Sequence, residues 1–384
     1  MRFEFATTAR IVFGPGALRE AGTAARAFGR HAFVVTGRDP RRAEKLLGLL
    51  AAEGVAATPF SLTGEPTTGA VITATAQART AGCDLVIGFG GGSPLDTAKA
   101  VSALLTNPGD LLDYLEVVGR AQPLTQPAAP CIAIPTTAGT GAEVTRNAVL
   151  GVPAQQIKVS LRSPLMLPRL ALVDPELTSD LPSALTASTG LDALTQLIEP
   201  LVSCRANPLT DGLCAEGIRR AARALRPACH DGHNAAARED MAFASLCGGL
   251  ALANAGLGAV HGFAAPIGGM FPAPHGAVCA ALLPQVMEAN LRAAQARPSG
   301  DGIRRRYAAV AGFLTGDATA TAEDGVRWVR ALVDELQIPG LSAYGVGSEH
   351  VATLVEKAAQ ASSMKANPLP LAHDELAGIL LRSL

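Results

Sequence analysis

The sequence predicts an α/β N-terminal domain followed by an all-α C-terminal domain. Short apolar, β-rich runs alternate with helical patterns in the first half of the chain, and helical patterns follow one another in the second half. The 384 residues also exceed what one hydrophobic core usually supports. Strand-like runs become few after about Leu181, so we predict domains at residues 1–181 and 182–384.

Four apolar runs in the first half have the composition of buried strands. They are HAFVVTG (31–37), DLVIGFG (84–90), CIAIPTT (131–137) and LALVDPEL (170–177). Between the first two lies PRRAEKLLGLLAAEG (40–54), whose apolar positions recur at helical spacing. Strands that alternate with helices favour a mostly parallel sheet that is covered on both faces.

The second half shows successive helical patterns, at residues 181–203, 206–225 and 238–260. The weakly polar stretch from Leu246 to Met287 is rich in Gly and Ala and is interrupted by prolines. A membrane span would have to tolerate these interruptions. We therefore predict a buried helix bundle and no membrane partner.

The composition argues against several classes of protein. Hydrophobic residues make up 48% of the chain and charged residues 17%, which is typical of a well-buried globular enzyme. The formal net charge is −1, so we expect no nucleic-acid partner. Seven scattered cysteines without a C-x-x-C pair indicate a reducing compartment. The N-terminus lacks a basic segment followed by a long apolar one, so we expect a cytoplasmic protein.

A glycine-rich turn follows the second β-rich run. Gly90, Gly91 and Gly92 precede Ser93 and a helical pattern, and such a turn lets a pyrophosphate approach the backbone at a helix N-terminus. We predict Ser93 as the helix N-cap, Pro94 as the first helical residue and Asp96 as the partner in a capping box. The spacing is not G-x-G-x-x-G, and such glycines are often only structural, so ligand binding stays open from this turn alone.

Hydroxyl side chains follow the third β-rich run. Thr136, Thr137, Thr140 and Thr145 are interleaved with glycines in PTTAGTGAEVTRNAVL (135–150). Their hydroxyls can donate to phosphate or ribose oxygens. The alternative is a Ser/Thr-Gly surface loop, which is common.

A carboxylate and two imidazoles suggest a metal site in the second half. Asp192 and Gln196 are four residues apart on a predicted helix and therefore share one face. His261 and His275 lie too far apart for one helical turn, so we place them on two helices joined by a turn. These side chains suit a divalent transition metal with an open position for a substrate oxygen. The alternative is a polar lining without an ion.

Together, four segments resemble the iron-containing (group III, metal-dependent) alcohol dehydrogenase family, which has the dehydroquinate synthase-like fold. GGGSPLDTAK (90–99) resembles its cofactor signature, and IPTTAGTGAEVT (134–145) resembles its second nucleotide-contacting loop. GLDALTQLIEP (190–200) and AVHGFAAPIGGMFPAPHGAVCAALLP (259–284) resemble its two metal-binding signatures. The similarity covers essentially the whole chain.

The resemblance implies an NAD(P)-dependent oxidoreductase that interconverts a small alcohol and its aldehyde or ketone by metal-assisted hydride transfer. It also implies an active site between the two domains and a homodimer. Ala142 stands where the family often has Ser. The implied cofactor-binding residues are Gly37, Gly90, Gly91, Gly92, Ser93, Asp96, Thr136, Thr137, Thr140, Ala142, Lys158 and Leu177.

By the same resemblance, Asp192, His261 and His275 are catalytic residues and, with Gln196, ligands of Fe²⁺ or Zn²⁺. The family pattern is one Asp and three His, so Gln196 replaces an imidazole with a weaker donor, and retention of the metal stays open. Ala265 occupies a position at which the family often carries a further His near the substrate. The group that carries the proton stays open, and solvent or a ribose hydroxyl could do so.

The segment VVTGRDPRR (34–42) bears on the choice between NAD and NADP. Many relatives have Asp where this chain has Gly37, and a carboxylate there would repel a 2′-phosphate. With Arg38, Arg41 and Arg42 nearby, NADP is acceptable as the cofactor, and a preference for it stays open. The alternative is that these arginines only lie on a solvated helix start.

Two other functions remain open, and the sequence argues against a third. Maleylacetate reductases of the same superfamily work without a metal, which the loss of His at position 196 would allow. A non-catalytic nucleotide-binding relative is favoured by Gln196 and Ala265, and opposed by the complete GGGSPLDTAK segment. A sugar-phosphate cyclase on the same fold would need more basic residues in the C-terminal half than this sequence contains.

Overall fold

The computed structural model describes residues 2–384, which form two compact units. The α/β unit comprises residues 6–137 and 141–179. The helical unit comprises residues 180–384, residues 138–140 and the N-terminal segment that ends at Phe5. An α/β region followed by a helical region is the fold class that the sequence predicts.

The α/β unit is built on a parallel sheet. Its strands are β1 (Ile11–Phe13), β2 (His31–Thr36), β3 (Ala56–Ser61), β4 (Leu85–Gly90), β5 (Cys131–Pro135), β6 (Asn147–Val152), β7 (Ile157–Arg162) and β8 (Leu170–Val173). Six of them form one sheet in the order β1-β8-β5-β4-β2-β3, with all neighbours parallel. Strands β6 and β7 form a separate antiparallel hairpin.

Helices cover both faces of this sheet. They are α1 (Ala21–Phe28), α2 (Glu44–Ala52), α3 (Thr68–Thr80) and α4 (Gly92–Thr106), followed by the single turn α5 (Leu111–Tyr114). Alternate residues of β2 belong to different cores, as the two-residue period of a strand requires. Val34 packs in the core that contains Leu46 of α2, and Val35 packs in the core that contains Ala74 of α3. The apolar runs of the sequence are therefore strands buried on both faces.

The second unit is helical throughout. Its helices are α6 (Ser183–Val202), α7 (Pro208–His230), α8 (Ala235–Ala255), α9 (Ala259–Met270), α10 (His275–Gln295), α11 (Asp301–Thr315), α12 (Ala322–Glu335), α13 (Val351–Gln360) and α14 (His373–Leu381). Helix α6 packs against α7, α8 and α10, and its C-terminal half is completely buried. The polar side chains on α6 are therefore held in a dry interior.

We also tested the described helices for the ability to span a membrane. None of them alone has the length and the apolar composition that a span needs. One pair, α8 and α9, meets both criteria only when the two helices are taken together, and it is bent by 98°.

Candidate active site

Several of the predicted cofactor residues lie at one edge of the parallel sheet. Gly37 follows β2, Gly90 ends β4 and Thr136 follows β5. The register pairs Thr36 with Phe89 on β4 and Gly90 with Pro135 on β5. The carboxyl ends of these three adjacent strands therefore meet, which is the position where open α/β sheets bind their ligands.

The glycine-rich turn differs in detail from the predicted capping arrangement. Helix α4 begins at Gly92, and its N-cap is Gly91, without a side-chain cap. The prediction of Ser93 as N-cap and Pro94 as first helical residue was therefore wrong by two positions. The reason is the backbone of Gly90, whose φ of 156° turns the chain at once. A Cβ atom at Gly90 would lie 2.6 Å from the Pro94 ring, so only glycine fits.

The early helix start leaves backbone donors for an anion. The first helical hydrogen bond runs from Leu95 N to Gly91 O, and the N–H groups of Gly92 and Ser93 have no acceptor among residues 2–384. A Cβ atom at Gly91 would lie 3.4 Å from the Thr137 side chain. Two N–H groups at a helix N-terminus beside a threonine fit a pyrophosphate.

Asp96 and Lys99 connect helix α4 to neighbouring segments. Asp96 Oδ2 accepts a hydrogen bond from Val149 N at 2.9 Å, and Asp96 Oδ1 lies 2.9 Å from Lys99 Nζ. The buried Lys99 ammonium also donates to the Ala142 carbonyl at 3.0 Å and to Thr145 Oγ1 at 2.8 Å. The predicted capping box at Asp96 was therefore wrong, because its carboxylate is bound elsewhere.

The other predicted cofactor residues lie in different places. Thr140 belongs to the segment grouped with the helical unit. Lys158 is on β7 of the hairpin, with its Nζ 3.4 Å from Glu65 Oε2. Leu177 follows β8 in a short 3-10 helix, and its carbonyl oxygen accepts a hydrogen bond from Arg42.

The predicted arginine cluster near Gly37 is largely engaged within the protein. Arg41 is paired with Asp39, Nε to Oδ1, at 2.8 Å, and Arg42 is bound to a carbonyl. Arg38 is exposed, and no hydrogen bond or ion pair joins it to the rest of residues 2–384. A Cβ atom at Gly37 would meet nothing within 4 Å. The end of β2 therefore offers open space next to one unpaired guanidinium.

A second polar cluster lies inside the helical unit. Asp192 is on α6, His261 is near the start of α9, and His275 begins α10. Cys279 lies one turn after His275 on α10. One ligand atom from each of these four residues lies within 4.8 Å of every other. The structure thus brings together the three predicted catalytic residues and adds a thiol.

The distances within this cluster are short. Asp192 Oδ1 lies 3.4 Å from His261 Nε2 and 3.6 Å from His275 Nε2. The Cys279 Sγ atom lies 3.8 Å from His261 Nε2 and 3.6 Å from His275 Nε2. Asp192 is 1% exposed, whereas the His275 side chain is 34% exposed. The cluster is therefore shielded from solvent except beside His275.

Glu199 orients one of the two imidazoles. Its Oε2 lies 2.7 Å from His261 Nδ1, and its Oε1 accepts a hydrogen bond from Val260 N at 2.7 Å. A carboxylate can only accept, so Nδ1 carries the hydrogen and Nε2 of a neutral ring presents a lone pair to the cluster. Glu199 shares a face of α6 with Asp192, seven residues earlier.

The buried atoms of the cluster fit a cation. Asp192 Oδ1 and Gln196 Oε1 are buried and have no hydrogen-bond partner among the described residues. Burial raises the pKa of Asp192, but His275, His261 and a hydrogen bond from Gln196 outweigh it and hold this pKa at about 2. Burial lowers the pKa of His275, but Cys279 and Asp192 raise it to about 9. The surroundings favour positive charge at this point.

Comparison with known proteins shows the family of this chain. Residues 8–175 match the iron-containing alcohol dehydrogenase family, and residues 186–384 match its C-terminal domain. The chain belongs to the iron-containing alcohol dehydrogenase family. A 1,3-propanediol dehydrogenase of Klebsiella pneumoniae is 36% identical over 375 residues, which cover 96% of this chain and 95% of that protein. Long-chain-alcohol dehydrogenase 1 of Geobacillus thermodenitrificans is 38% identical over 313 residues, covering 80% of this chain and 76% of that protein.

Solved structures of the iron-containing alcohol dehydrogenase family share this fold. A 1,3-propanediol oxidoreductase has a TM-score of 0.93 at 33% identity, and the match covers 100% of both chains. An alcohol dehydrogenase from Oenococcus oeni has a TM-score of 0.91 at 30% identity, again covering 100% of both chains. The predicted family, fold class and oxidoreductase activity on alcohols are thereby confirmed.

Sequence reasoning missed three residues of this family member. Cys279 lies four residues after His275 in HGAVC, and the same helical spacing that joined Asp192 to Gln196 would have found it. Glu199 stands in the quoted segment GLDALTQLIEP, but nothing in its spacing points to a histidine 62 residues later. Lys99 ends the quoted segment GGGSPLDTAK, and its burial depends on a loop whose fold no local pattern gives.

Proposed function

We propose that this enzyme reversibly oxidises a small alcohol to its aldehyde or ketone, with NAD(P) as the hydride carrier and a divalent metal as Lewis acid. The observation that carries the proposal is the buried Oδ1 atom of Asp192, which has no hydrogen-bond partner among the residues that the structure describes and faces two imidazole nitrogens. Relatives described as acting on 1,3-propanediol and on long-chain alcohols support an alcohol substrate and leave its chain length open.

The helical unit supplies the metal subsite. Asp192, His261 and His275 would hold the ion, with Gln196 beside it. When bound, Fe²⁺ or Zn²⁺ supplies a Lewis acid for the substrate oxygen. Glu199 keeps the His261 ring in the tautomer that binds metal. The partly exposed His275 marks the side from which a small substrate enters.

The α/β unit supplies the dinucleotide subsite. The N–H groups of Gly92 and Ser93 would bind the pyrophosphate, and Thr136 and Thr137 would border it. When bound, the nicotinamide supplies the hydride acceptor or donor. Ala265 offers no ionisable group, so the proton reaches solvent through water or a ribose hydroxyl.

The experiment removes the metal and restores it. After treatment with a chelator and verified loss of metal, we expect oxidation of 1,3-propanediol or ethanol to stop and to return with Fe²⁺ or Zn²⁺. Turnover that continues without metal would refute the Lewis-acid role. Because Gln196 replaces an imidazole, the same preparation is assayed with maleylacetate, since activity that survives chelation would identify a metal-independent reductase.

We further propose that NADP is accepted. The space beside Gly37 and the unpaired guanidinium of Arg38 suit a 2′-phosphate, whereas Arg41 and Arg42 are engaged elsewhere. A Gly37→Asp variant should lose at least about tenfold in kcat/KM with NADPH, because like charges brought together cost several kcal/mol, and should keep its kcat/KM with NADH. An unchanged ratio between the two cofactors would contradict this assignment.

Location and assembly complete the proposal. All seven cysteines are free thiols, which supports a location in the reducing environment of the cytoplasm. We expect a homodimer, and sedimentation of the purified enzyme at micromolar concentration gives the mass that tests this.

A further inference from the structure

The cluster of Asp192, His261, His275 and Cys279 contains a thiol that the family pattern of one Asp and three His does not include. We propose that Cys279 binds the ion as a thiolate, so that the donor set is Asp192, His261, His275 and Cys279, and that this set selects Zn²⁺ over Fe²⁺. The substrate oxygen would then add to the ion as a fifth ligand. The proposal rests on the proposed metal-dependent function and names the fourth donor, which replaces the imidazole lost at Gln196.

Four of the six distances between the donor atoms match the edges of a tetrahedral site. Zinc bonds of about 2.0–2.1 Å to nitrogen and oxygen and about 2.3 Å to sulfur place N and O ligands about 3.4 Å apart and N and S ligands about 3.6 Å apart. The two N–O distances from Asp192 are 3.4 and 3.6 Å. The two N–S distances from Cys279 are 3.8 and 3.6 Å. Each agrees with a tetrahedral edge to within about 0.2 Å.

One pair of atoms in this cluster consists of two acceptors. Glu199 holds the hydrogen of His261 on Nδ1, so Nε2 of the neutral ring has a lone pair and no hydrogen. That lone pair faces Asp192 Oδ1, which is also only an acceptor and has no hydrogen-bond partner within residues 2–384. Two acceptors that face each other in a dry interior need a proton or a metal ion between them, and Zn²⁺ would satisfy both.

Charge and ligand softness favour zinc. A carboxylate and a thiolate together offset the double positive charge of the ion, and buried charges must be paired. Thiolate ligands suit Zn²⁺, and among divalent ions Zn²⁺ binds more tightly than Fe²⁺ in the general affinity order.

In this arrangement Gln196 lies one helical turn from Asp192 on α6 and is not one of the four donors.

Cobalt substitution tests the thiolate directly. Metal-free enzyme is loaded with Co²⁺, which occupies tetrahedral zinc sites and absorbs in the near ultraviolet when a thiolate is bound. We expect one Co²⁺ per chain with this band. A Cys279→Ser variant should lose the band and bind Zn²⁺ at least about 100-fold more weakly, because loss of a mere supporting contact already costs 10- to 100-fold. The control variant Cys247→Ala removes another buried thiol of the helical unit. It should retain the near-ultraviolet Co²⁺ band and the wild-type affinity for Zn²⁺.

The outcomes separate this inference from the proposed function. If wild-type enzyme binds Co²⁺ and an Asp192→Asn variant does not, but the sulfur band is absent and Cys279→Ser binds Zn²⁺ normally, the thiolate assignment is wrong and the metal-dependent function stands. If the wild-type enzyme binds no metal, both are wrong. If Cys279→Ser does not fold, the wild-type band alone decides, since its absence overturns the thiolate assignment.

Discussion

The contact between Glu199 and His261 gives a quantitative prediction for a Glu199→Gln variant. Glu199 accepts two N–H groups, from Val260 N and from His261 Nδ1, each at 2.7 Å. Glutamine has one oxygen, so its NH₂ group must face one of these donors. Loss of a hydrogen bond to a charged group costs about 1.5–3 kcal/mol.

The effect of the Glu199→Gln substitution can also be estimated as a loss of metal affinity. Loss of a group that orients a histidine ligand weakens metal binding about 10- to 100-fold, which corresponds to about 1.4–2.7 kcal/mol. The two magnitudes agree. We therefore expect the Kd for Zn²⁺ of the Glu199→Gln variant to rise by this factor, because its His261 ring no longer has a fixed tautomer.

Competition with a chromophoric chelator measures this Kd. The matched control is Glu216→Gln, because Glu216 lies in the same unit, pairs with Arg220 and is 44% exposed; its Kd for Zn²⁺ should equal that of the wild type. A Glu199→Gln protein that is folded and binds Zn²⁺ with wild-type affinity would refute the orienting role.

Three further predictions concern the α/β unit. Lys99→Met removes a buried ammonium from a carboxylate and two other acceptors. It should lower the free energy of unfolding in urea by about 3 kcal/mol. A change below about 0.5 kcal/mol would contradict a stabilising role of Lys99. Burial raises the pKa of Glu143 from 4.5 to about 7, so its charged form destabilises the fold, and stability falls as the pH rises through this window. Glu143→Gln should remove about 2.5 kcal/mol of pH dependence between pH 5 and 8, and an unchanged slope would exclude this cause. Gly90→Ala should lower the free energy of unfolding by about 1–3 kcal/mol and weaken binding of NADH in a fluorescence titration, whereas Gly48→Ala, whose new Cβ meets nothing within 4 Å, should do neither.

The sequence predicted those parts of the fold that depend on local pattern. The apolar runs that became β2, β4, β5 and β8 are each buried on both faces, so their composition alone is distinctive. Edge strand β3 contains Pro59 and has no buried residue. Its pattern therefore gave no signal, and neither did that of the β6–β7 hairpin.

In the candidate sites, too, the sequence predicted features that depend on local spacing and missed features that depend on tertiary packing. Asp192 and Gln196 could be placed on one helix face because their spacing is local. The start of α4 was misplaced because the backbone of Gly90, which turns the chain early, is not encoded in the capping preference of Ser93. The contact of Cys279 with His275 follows from their spacing on α10, whereas its contact with His261 depends on how α9 and α10 pack, which no motif describes.

The most direct test of the account is a crystal structure of the zinc-loaded enzyme with data collected on both sides of the zinc absorption edge. We predict one anomalous peak per chain in the helical unit, about 2.0–2.3 Å from Asp192 Oδ1, His261 Nε2, His275 Nε2 and Cys279 Sγ. A peak elsewhere, or no peak at these four atoms, would contradict the metal site on which the proposed chemistry depends.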